Sequence, residues 1–353
     1  MHGIRTVLVA TGLAIVARGA WAQGTPWRQH DPARPRPASV APGATLGSAP
    51  ADAVVLFDGS SLGAWRATRD GGPARWVMRD GFMEAAPGTG AIQTADSLGD
   101  MQLHIEWAAP TPTAGRGQGR GNSGVIIMGK YEVQILDSYD NTTYADGQAA
   151  ALYGQYPPLV NASRAPGEWQ SYDIIFRGPR WTANGALARP TAVTVFHNGV
   201  LVQDHASLWG GTDWLRPAPY VAHPTRLPLV LQDHSNPVKF RNIWARPLPE
   251  QSATPTRPGE AVNAKALTAA QLDAFVGSYR ADNGEICRVV RTSRGLGLSI
   301  FARKDTMPLV TTADGQFTFR HTGGSVRFVG GGATALQLEV AIAEVERRYV
   351  RVR

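Results

Sequence analysis

The chain of 353 residues carries 35 Lys and Arg against 28 Asp and Glu, a formal charge of +7, and one cysteine. The first 22 residues hold two of the basic side chains, residues 265–353 hold 13 basic against 8 acidic, and residues 23–264 are balanced at 20 of each sign. A nucleic-acid binder concentrates positive charge on its main surface, so this distribution excludes that class, and Cys287 has no second thiol for a disulfide. Cys287 therefore reads as a small buried apolar residue rather than a nucleophile.

Along the chain, Arg5, the apolar stretch 6–16 and Ala20-Trp21-Ala22 form a basic region, a short hydrophobic region and an A-x-A cleavage site. This reads as a secretory signal peptide over 1–22 and an exported protein, periplasmic or secreted. No later segment is long and apolar enough for a membrane-spanning helix. Residues 23–50 are rich in Pro, Ala, Gly and Arg without periodicity, which predicts a disordered leader. A Pro-rich linker over 249–265 separates a unit at 51–248 from a smaller one at 266–353.

The larger unit is a succession of short strand patterns with turn signals between them. Val54–Phe57, Trp76–Arg79, Phe82–Ala85, Met101–Ala108, Gly124–Met128, Tyr131–Ile135, Tyr172–Phe176, Ala192–His197, Val200–Gln203, Leu227–Gln232 and Val238–Ala245 are the predicted strands. Asp80-Gly81 and Asn198-Gly199 are the residue pairs that tight hairpins favour. The pattern is all-β and predicts a sandwich or jelly roll. In the smaller unit, Thr268 caps a short helix from Ala269 to Phe275, closed by Gly277. Strand patterns follow at Cys287–Arg291, Leu296–Phe301, Phe317–Arg320, Val326–Val329, Leu336–Ala341 and Arg348–Val352, giving a small antiparallel β domain.

Side-chain parity gives the candidate functional residues. Leu103, Ile105 and Trp107 fall on one face of their strand and His104 with Glu106 on the other. Glu132 and Gln134 oppose Tyr131, Val133 and Ile135, and Gln232 with His234 oppose Leu227, Leu229 and Leu231. If these polar faces coincide they line a cleft with several acids, bases and amides. If they do not, each is the solvated outer face of an antiparallel sheet. Strand order decides, and sequence leaves it open.

The loop 115–121 (GRGQGRG) has no following helix and no Lys-Ser/Thr end, so it is no phosphate loop. Its functional reading is a cover over the cleft, with Arg116 and Arg120 reaching ligand oxygens. Trp209 and Trp214, in the loop 207–214 (SLWGGTDW), are candidates for a platform under a sugar ring, against ordinary loop packing. His104, Glu132, His223, His234 and Asp137 are metal-capable without any diagnostic spacing, which leaves a divalent metal open as a cofactor.

Several segments together carry a family resemblance. They are the run 56–65 (LFDGSSLGAW), Asn122-Ser123-Gly124-Val125, the run 131–137 (YEVQILD), Gly167-Glu168-Trp169, His197-Asn198-Gly199-Val200, Leu231-Gln232-Asp233-His234 and Phe240-Arg241-Asn242-Ile243. In this order, over about residues 54–248, they resemble the 3-keto-disaccharide hydrolase domain family. The resemblance implies a concanavalin-like jelly roll and a glycoside or oligosaccharide substrate oxidised at C3, cleaved by hydrolysis or β-elimination. Residues 265–353 are similar to a small accessory β domain found after some serine-hydrolase-like domains.

For that chemistry Glu132 is the expected base or acid and His234 the second proton-transfer group. Gln134, Gln232 and Arg116 are expected to position substrate or hold an enolate, with Glu106, His104, Arg120, Asp137, Trp209 and Trp214 as further binding candidates. Two rival readings remain open. A conventional glycosidase needs two carboxylates, but Gln134 stands where the second would fall, and Asp137 has the wrong parity. A non-catalytic lectin needs aromatic platforms but no tuned base.

Overall fold

The computed structural model describes residues 27–216, 218–250, 259–330 and 336–352. The expected signal peptide lies outside these residues, as does most of the expected linker. The chain divides into two compact units, Ser39–Pro249 and Met1–Ala38 with Glu250–Arg353.

Ser39–Pro249 is a jelly-roll-like sandwich of two antiparallel sheets. The larger runs in the order Val200–Ser207, Ala192–His197, Gln170–Arg177, Met101–Ala108, Lys239–Pro247, Phe82–Glu84, Val77–Arg79, with Val54–Phe57 also paired to Lys239–Pro247. The smaller runs Trp65–Ala67, Ile92–Thr94, Val230–Leu231, Ser123–Ile127, Tyr131–Ile135. Period-2 alternation sends one side of each strand inward. Leu103, Ile105, Trp107, Tyr172 and Ile174 from the larger sheet meet Val125, Ile127, Val133, Ile135 and Leu231 from the smaller in one core. The Tyr172 hydroxyl crosses between the layers and donates to the Gln134 carbonyl at 2.8 Å. The Asp80-Gly81 and Asn198-Gly199 hairpins form with all four residues at positive φ, as their turn type requires.

The expected strand Leu227–Gln232 is paired as a strand only at Val230–Leu231. Leu227 instead forms an isolated bridge with Leu98, and Leu229 exchanges hydrogen bonds with Thr94. Among the described residues no helix is long and apolar enough to cross a membrane.

The second unit closes into a barrel of eight strands in chain order, from Gly277–Ala281 to Val345–Arg351. Tyr279, Cys287, Leu298, Phe317, Phe319 and Tyr349 fill its interior. Burial there pushes the Cys287 thiol up to about 12, which keeps it unreactive. Thr268 caps the helix Ala269–Asp273 through a reciprocal capping box with Gln271, and the helix ends at Ala274, short of Gly277.

The segment read as a leader takes part in both units. Gln29 bridges to Thr322 of the barrel, and the Arg28 guanidinium donates to Thr318 Oγ1 and the Phe319 carbonyl. Gly47 lies over the outer face of the larger sheet, its carbonyl accepting from Asn242 Nδ2 and Trp244 Nε1. Those backbone partners, which composition does not reveal, are what order the segment.

Candidate active site

The edge of the smaller sheet places two polar rows on its outer face. Glu132 pairs with Ile126, which pairs with Val230. Gln134 pairs with Gly124, whose carbonyl accepts from the Gln232 amide. Glu132, Gln134 and Gln232 thus share a face, while Val125, Val133 and Leu231 turn to the core.

Gly124 makes this arrangement possible, because a Cβ there would lie 2.2 Å from Glu132 Oε1. The carboxylate therefore folds down over bare backbone and becomes buried, with 9% of the residue exposed. Among the described residues no Lys, Arg or His forms an ion pair with it. Burial with no cation to offset it raises the Glu132 pKa to about 7. One end of the Gln134 amide lies 3.1 Å from Glu132 Oε1 and 3.0 Å from the Ser123 carbonyl. With its nitrogen turned that way it donates to both, so Glu132 has a neutral donor beside it in place of a charge.

Further amides surround this pair. The other end of the Gln134 side chain lies 3.0 Å from the Gln118 side-chain amide, whose second end reaches the Gly147 carbonyl and Thr143 Oγ1. Asn122 Nδ2 donates to the Gln118 carbonyl. Gln232 Oε1 is buried without a hydrogen-bond partner among the described residues, an acceptor unused at the site. The Glu132 amide donates to Thr212 Oγ1, tying this strand to the loop that carries the tryptophans.

The Glu132 carbonyl accepts from the Tyr153 amide, and between the segments that hold Tyr153 and Thr212 opens a pocket of about 580 Å³, a volume suited to a small ligand, whose lining does not include Glu132 itself. Tyr153 and Tyr144 stand on one wall with their hydroxyls 2.7 Å apart. The Tyr153 hydroxyl is held well above its ordinary pKa, by burial first, then by Tyr144 and by the charges of Glu132 and Asp146. It therefore stays protonated at neutral pH and lies within the electrostatic reach of Glu132. Trp209 and Trp214 line the same pocket while remaining 59% and 65% exposed.

The other sequence candidates lie elsewhere. His104 and Glu106 are on the outer face of the larger sheet, with the sandwich core between them and Glu132. His104 Nδ1 is 2.7 Å from Asp173, its ring stacks on Trp244, and Gly47 covers it. Glu106 accepts from Arg241 and Asn242. Arg120 and Asp137 are turned on each other in a bidentate pair at 2.8 and 3.0 Å, and Arg120 also donates to the Tyr139 carbonyl. Arg116 is exposed in the Gly-rich loop, which forms a single 3-10 turn. His234 is exposed in the turn that follows Leu231, and its imidazole has no partner among the described residues. His223 is engaged by the Tyr131 hydroxyl and the Pro224 carbonyl. Among the described residues no three His, Cys, Asp or Glu side chains converge as metal ligands would.

Sequence reasoning passed over Gln118, Tyr144 and Tyr153, and named Asn122 only as part of the family resemblance. Gln118 sits inside the loop whose arginines drew attention. The two tyrosines flank an irregular stretch without periodicity, so nothing in the sequence ties them to the Glu132 strand.

Residues 52–246 match the sequence pattern of the 3-keto-alpha-glucoside-1,2-lyase-like domain. The chain belongs to that family. A crystal structure at 2.13 Å from Parabacteroides distasonis ATCC 8503, of a protein provisionally assigned as a glycosyl hydrolase, is 45% identical to it. The match covers 61% of this chain and 93% of that one, with a TM-score of 0.59. A second such protein from the same organism, solved at 1.70 Å, is 19% identical over 56% of this chain and 94% of its own, with a TM-score of 0.42. No curated protein matches the chain. Family membership makes this a glycoside-acting protein in kind, and the family domain contains Glu132 and the pocket beside it.

Proposed function

We propose that the sandwich unit cleaves 3-keto-glycosides by elimination across C1 and C2, with Glu132 as the base. A ketone at C3 acidifies the proton on C2. Glu132 takes that proton, the C2–H electrons form the enolate on the C3 oxygen, and collapse of the enolate expels the C1 oxygen substituent. The released alcohol takes up one proton, so the step is balanced as glycoside to unsaturated keto sugar plus alcohol. Water added to that product gives the free 3-keto sugar.

The observation that carries this reading is Glu132 itself, a buried carboxyl with no cationic partner and a pKa near 7. A structural ion pair would push a carboxyl the other way, and a base working near neutrality is what proton abstraction beside a carbonyl needs. Gln134, already bonded to the carboxylate, suits positioning it, and the Gln232 acceptor suits a substrate hydroxyl. The protonated Tyr153 hydroxyl suits the enolate or the departing oxygen. The His234 and Arg116 side chains have no contact among the described residues that gives them a part in this step.

Asp146, a carboxylate in the pocket wall that the elimination does not use, favours a conventional glycosidase as the alternative. The test is mass-spectrometric product detection with a 3-keto-glycoside and its unoxidised parent. Cleavage of the keto compound alone is expected, with turnover by Glu132→Gln reduced about 10²–10⁴-fold and binding retained. Cleavage of the parent would favour the two-carboxylate reading, and binding of both without cleavage a lectin.

A further inference from the structure

We propose that Gln118 is a positioning residue for the base: it competes with Glu132 for the one NH2 group of Gln134, and the two glutamine amides reverse together when Glu132 ionises. This rests on Glu132 being the base, and it names the residue that tunes it. Gln134 is 1% exposed, and oxygens stand at both ends of its amide. One end meets Glu132 Oε1 at 3.1 Å and the Ser123 carbonyl at 3.0 Å. The other meets the Gln118 side chain at 3.0 Å and Asn122 Oδ1 at 3.5 Å. The far end of Gln118 lies 2.8 Å from the Gly147 carbonyl and 3.1 Å from Thr143 Oγ1. An amide has one donor end and one acceptor end, so the chain from Glu132 through Gln134 to Gln118 has two orders.

When Glu132 is ionised it needs a donor, and Gln134 turns its nitrogen to Oε1 and to the Ser123 carbonyl. The Gln134 oxygen then takes its donor from Gln118, whose own oxygen moves to the far end. There the Thr143 hydroxyl donates to it, but the buried Gly147 carbonyl faces it, oxygen against oxygen. When Oε1 carries a proton it donates to the Gln134 oxygen, Gln134 donates to Gln118, and Gln118 donates to Gly147. The opposed oxygens are then at Ser123 instead. Each order leaves one such opposition, so neither wins outright and the proton on Glu132 selects between them. With the carboxyl titrating at about 7, both orders are drawn on near neutrality. The neighbouring strands Ser123–Ile127 and Val230–Leu231 carry no titratable side chain. Tyr144, Asp146 and Tyr153 lie on the adjoining segment, where the charge of Glu132 acts on Tyr153. Arg120 is paired with Asp137 and Arg216 with Asp213, while Arg116, Lys130 and His234 are exposed.

The experiment follows the carbonyl stretch of the protonated carboxyl by infrared spectroscopy of the full-length protein as pH is raised. Glu132→Gln identifies the band, to which the imidazole of His234 and the tyrosines do not contribute. Gln118→Leu removes both the competitor and the opposition at Gly147, so ionised Glu132 keeps the Gln134 nitrogen without that penalty. Its pKa should fall by about one unit, the relief of one unsatisfied buried group. Burial alone predicts the opposite sign, because leucine dries the site further. Thr143→Val withdraws the hydroxyl that the ionised order needs, two amides away from Glu132, and should raise the pKa. Thr143 is half-buried in a loop, so that variant decides the matter if Gln118→Leu does not fold by circular dichroism. An unchanged or higher pKa in Gln118→Leu, an unchanged or lower one in Thr143→Val, or no Glu132 band below neutral pH would overturn the proposal. The readout needs no substrate. If the pKa moves as expected while no 3-keto-glycoside is cleaved, the proposed function fails and the tuning by Gln118 stands. Cleavage with an unmoved pKa keeps the function and removes Gln118 from it.

Discussion

Glu132 and His197 illustrate how burial acts on opposite kinds of group in one fold. Burial raises the Glu132 pKa to about 7 and lowers that of His197 to about 4, where the ring lies between Trp107 and Tyr172 with Nε2 2.9 Å from Gln170 Oε1. Native Glu132 holds a proton that the unfolded chain has released between pH 4.5 and 7, so its contribution to stability is lost as pH rises through that window. Native His197 lacks a proton that the unfolded chain binds between pH 6.5 and 4, so its contribution is lost as pH falls. Glu132→Gln removes the first effect alone. The variant should be more stable than the parent protein at pH 8, by up to about 3 kcal/mol at 1.36 kcal/mol per pKa unit, and equal to it near pH 4.5. Urea unfolding at the two pH values measures this difference. A variant less stable at pH 8 would mean that the carboxylate has a favourable partner. For activity the sign is the reverse, since the base must be ionised, and kcat/KM should rise with pH and level off above about 7.

At the scale of elements, the strand pair Ser123–Ile127 and Tyr131–Ile135 builds the site, and Gly124 is its critical position. Gly124→Ala would drive its Cβ against Glu132 Oε1 and lift the carboxylate from its place. An ångström of misplacement costs about 10²-fold in rate. The variant should lose about that factor in kcat while its far-ultraviolet circular dichroism is unchanged, and unaltered kinetics would show that the carboxylate needs no such fit.

This pair was also legible in sequence, because five residues of strict alternation at Tyr131–Ile135 fix which side chains share a face. The same is true of Met101–Ala108 and Ala192–His197, whose bounds agree with the structure. Trp65–Ala67, Ile92–Thr94 and Val230–Leu231 have three residues or fewer, too short to show a period, yet they complete the smaller sheet. Parity correctly turned Glu106 and His104 away from the core, but it carries no strand order. They proved to lie on the far sheet, under Gly47. The pairing of Arg120 with Asp137 was hidden for a related reason, since residues 17 apart reveal their mutual salt bridge only once the loop is folded.

For the whole molecule, the chain path is interleaved. The first described residues belong with the barrel, the sandwich follows, and the chain then returns to complete the barrel. The two cores share no residue, so residues 39–249 alone should fold cooperatively and keep the cleavage activity. The barrel should depend on the N-terminal segment. Removing residues 27–38 deletes the Arg28 bonds to Thr318 and Phe319 and the Gln29 contacts with Thr322 and Gly323. At roughly 1 kcal/mol for each of these four net hydrogen bonds, the melting temperature of the barrel should fall by about 15–30 °C. Differential scanning calorimetry of the two shortened chains checks both expectations, and an unchanged barrel transition would count against the second.

The most direct test of the account follows the hydrogen on C2. A 3-keto-glycoside deuterated at that carbon is cleaved in ordinary water, with an enzyme-free control for spontaneous exchange, and the mass of the released sugar is measured. Elimination through Glu132 predicts that every cleaved molecule has lost its deuterium, and that Glu132→Gln slows cleavage and exchange together by about 10²–10⁴-fold. Release of sugar with the C2 deuterium retained would contradict the account, because the glycosidic bond would then have broken without proton abstraction at C2.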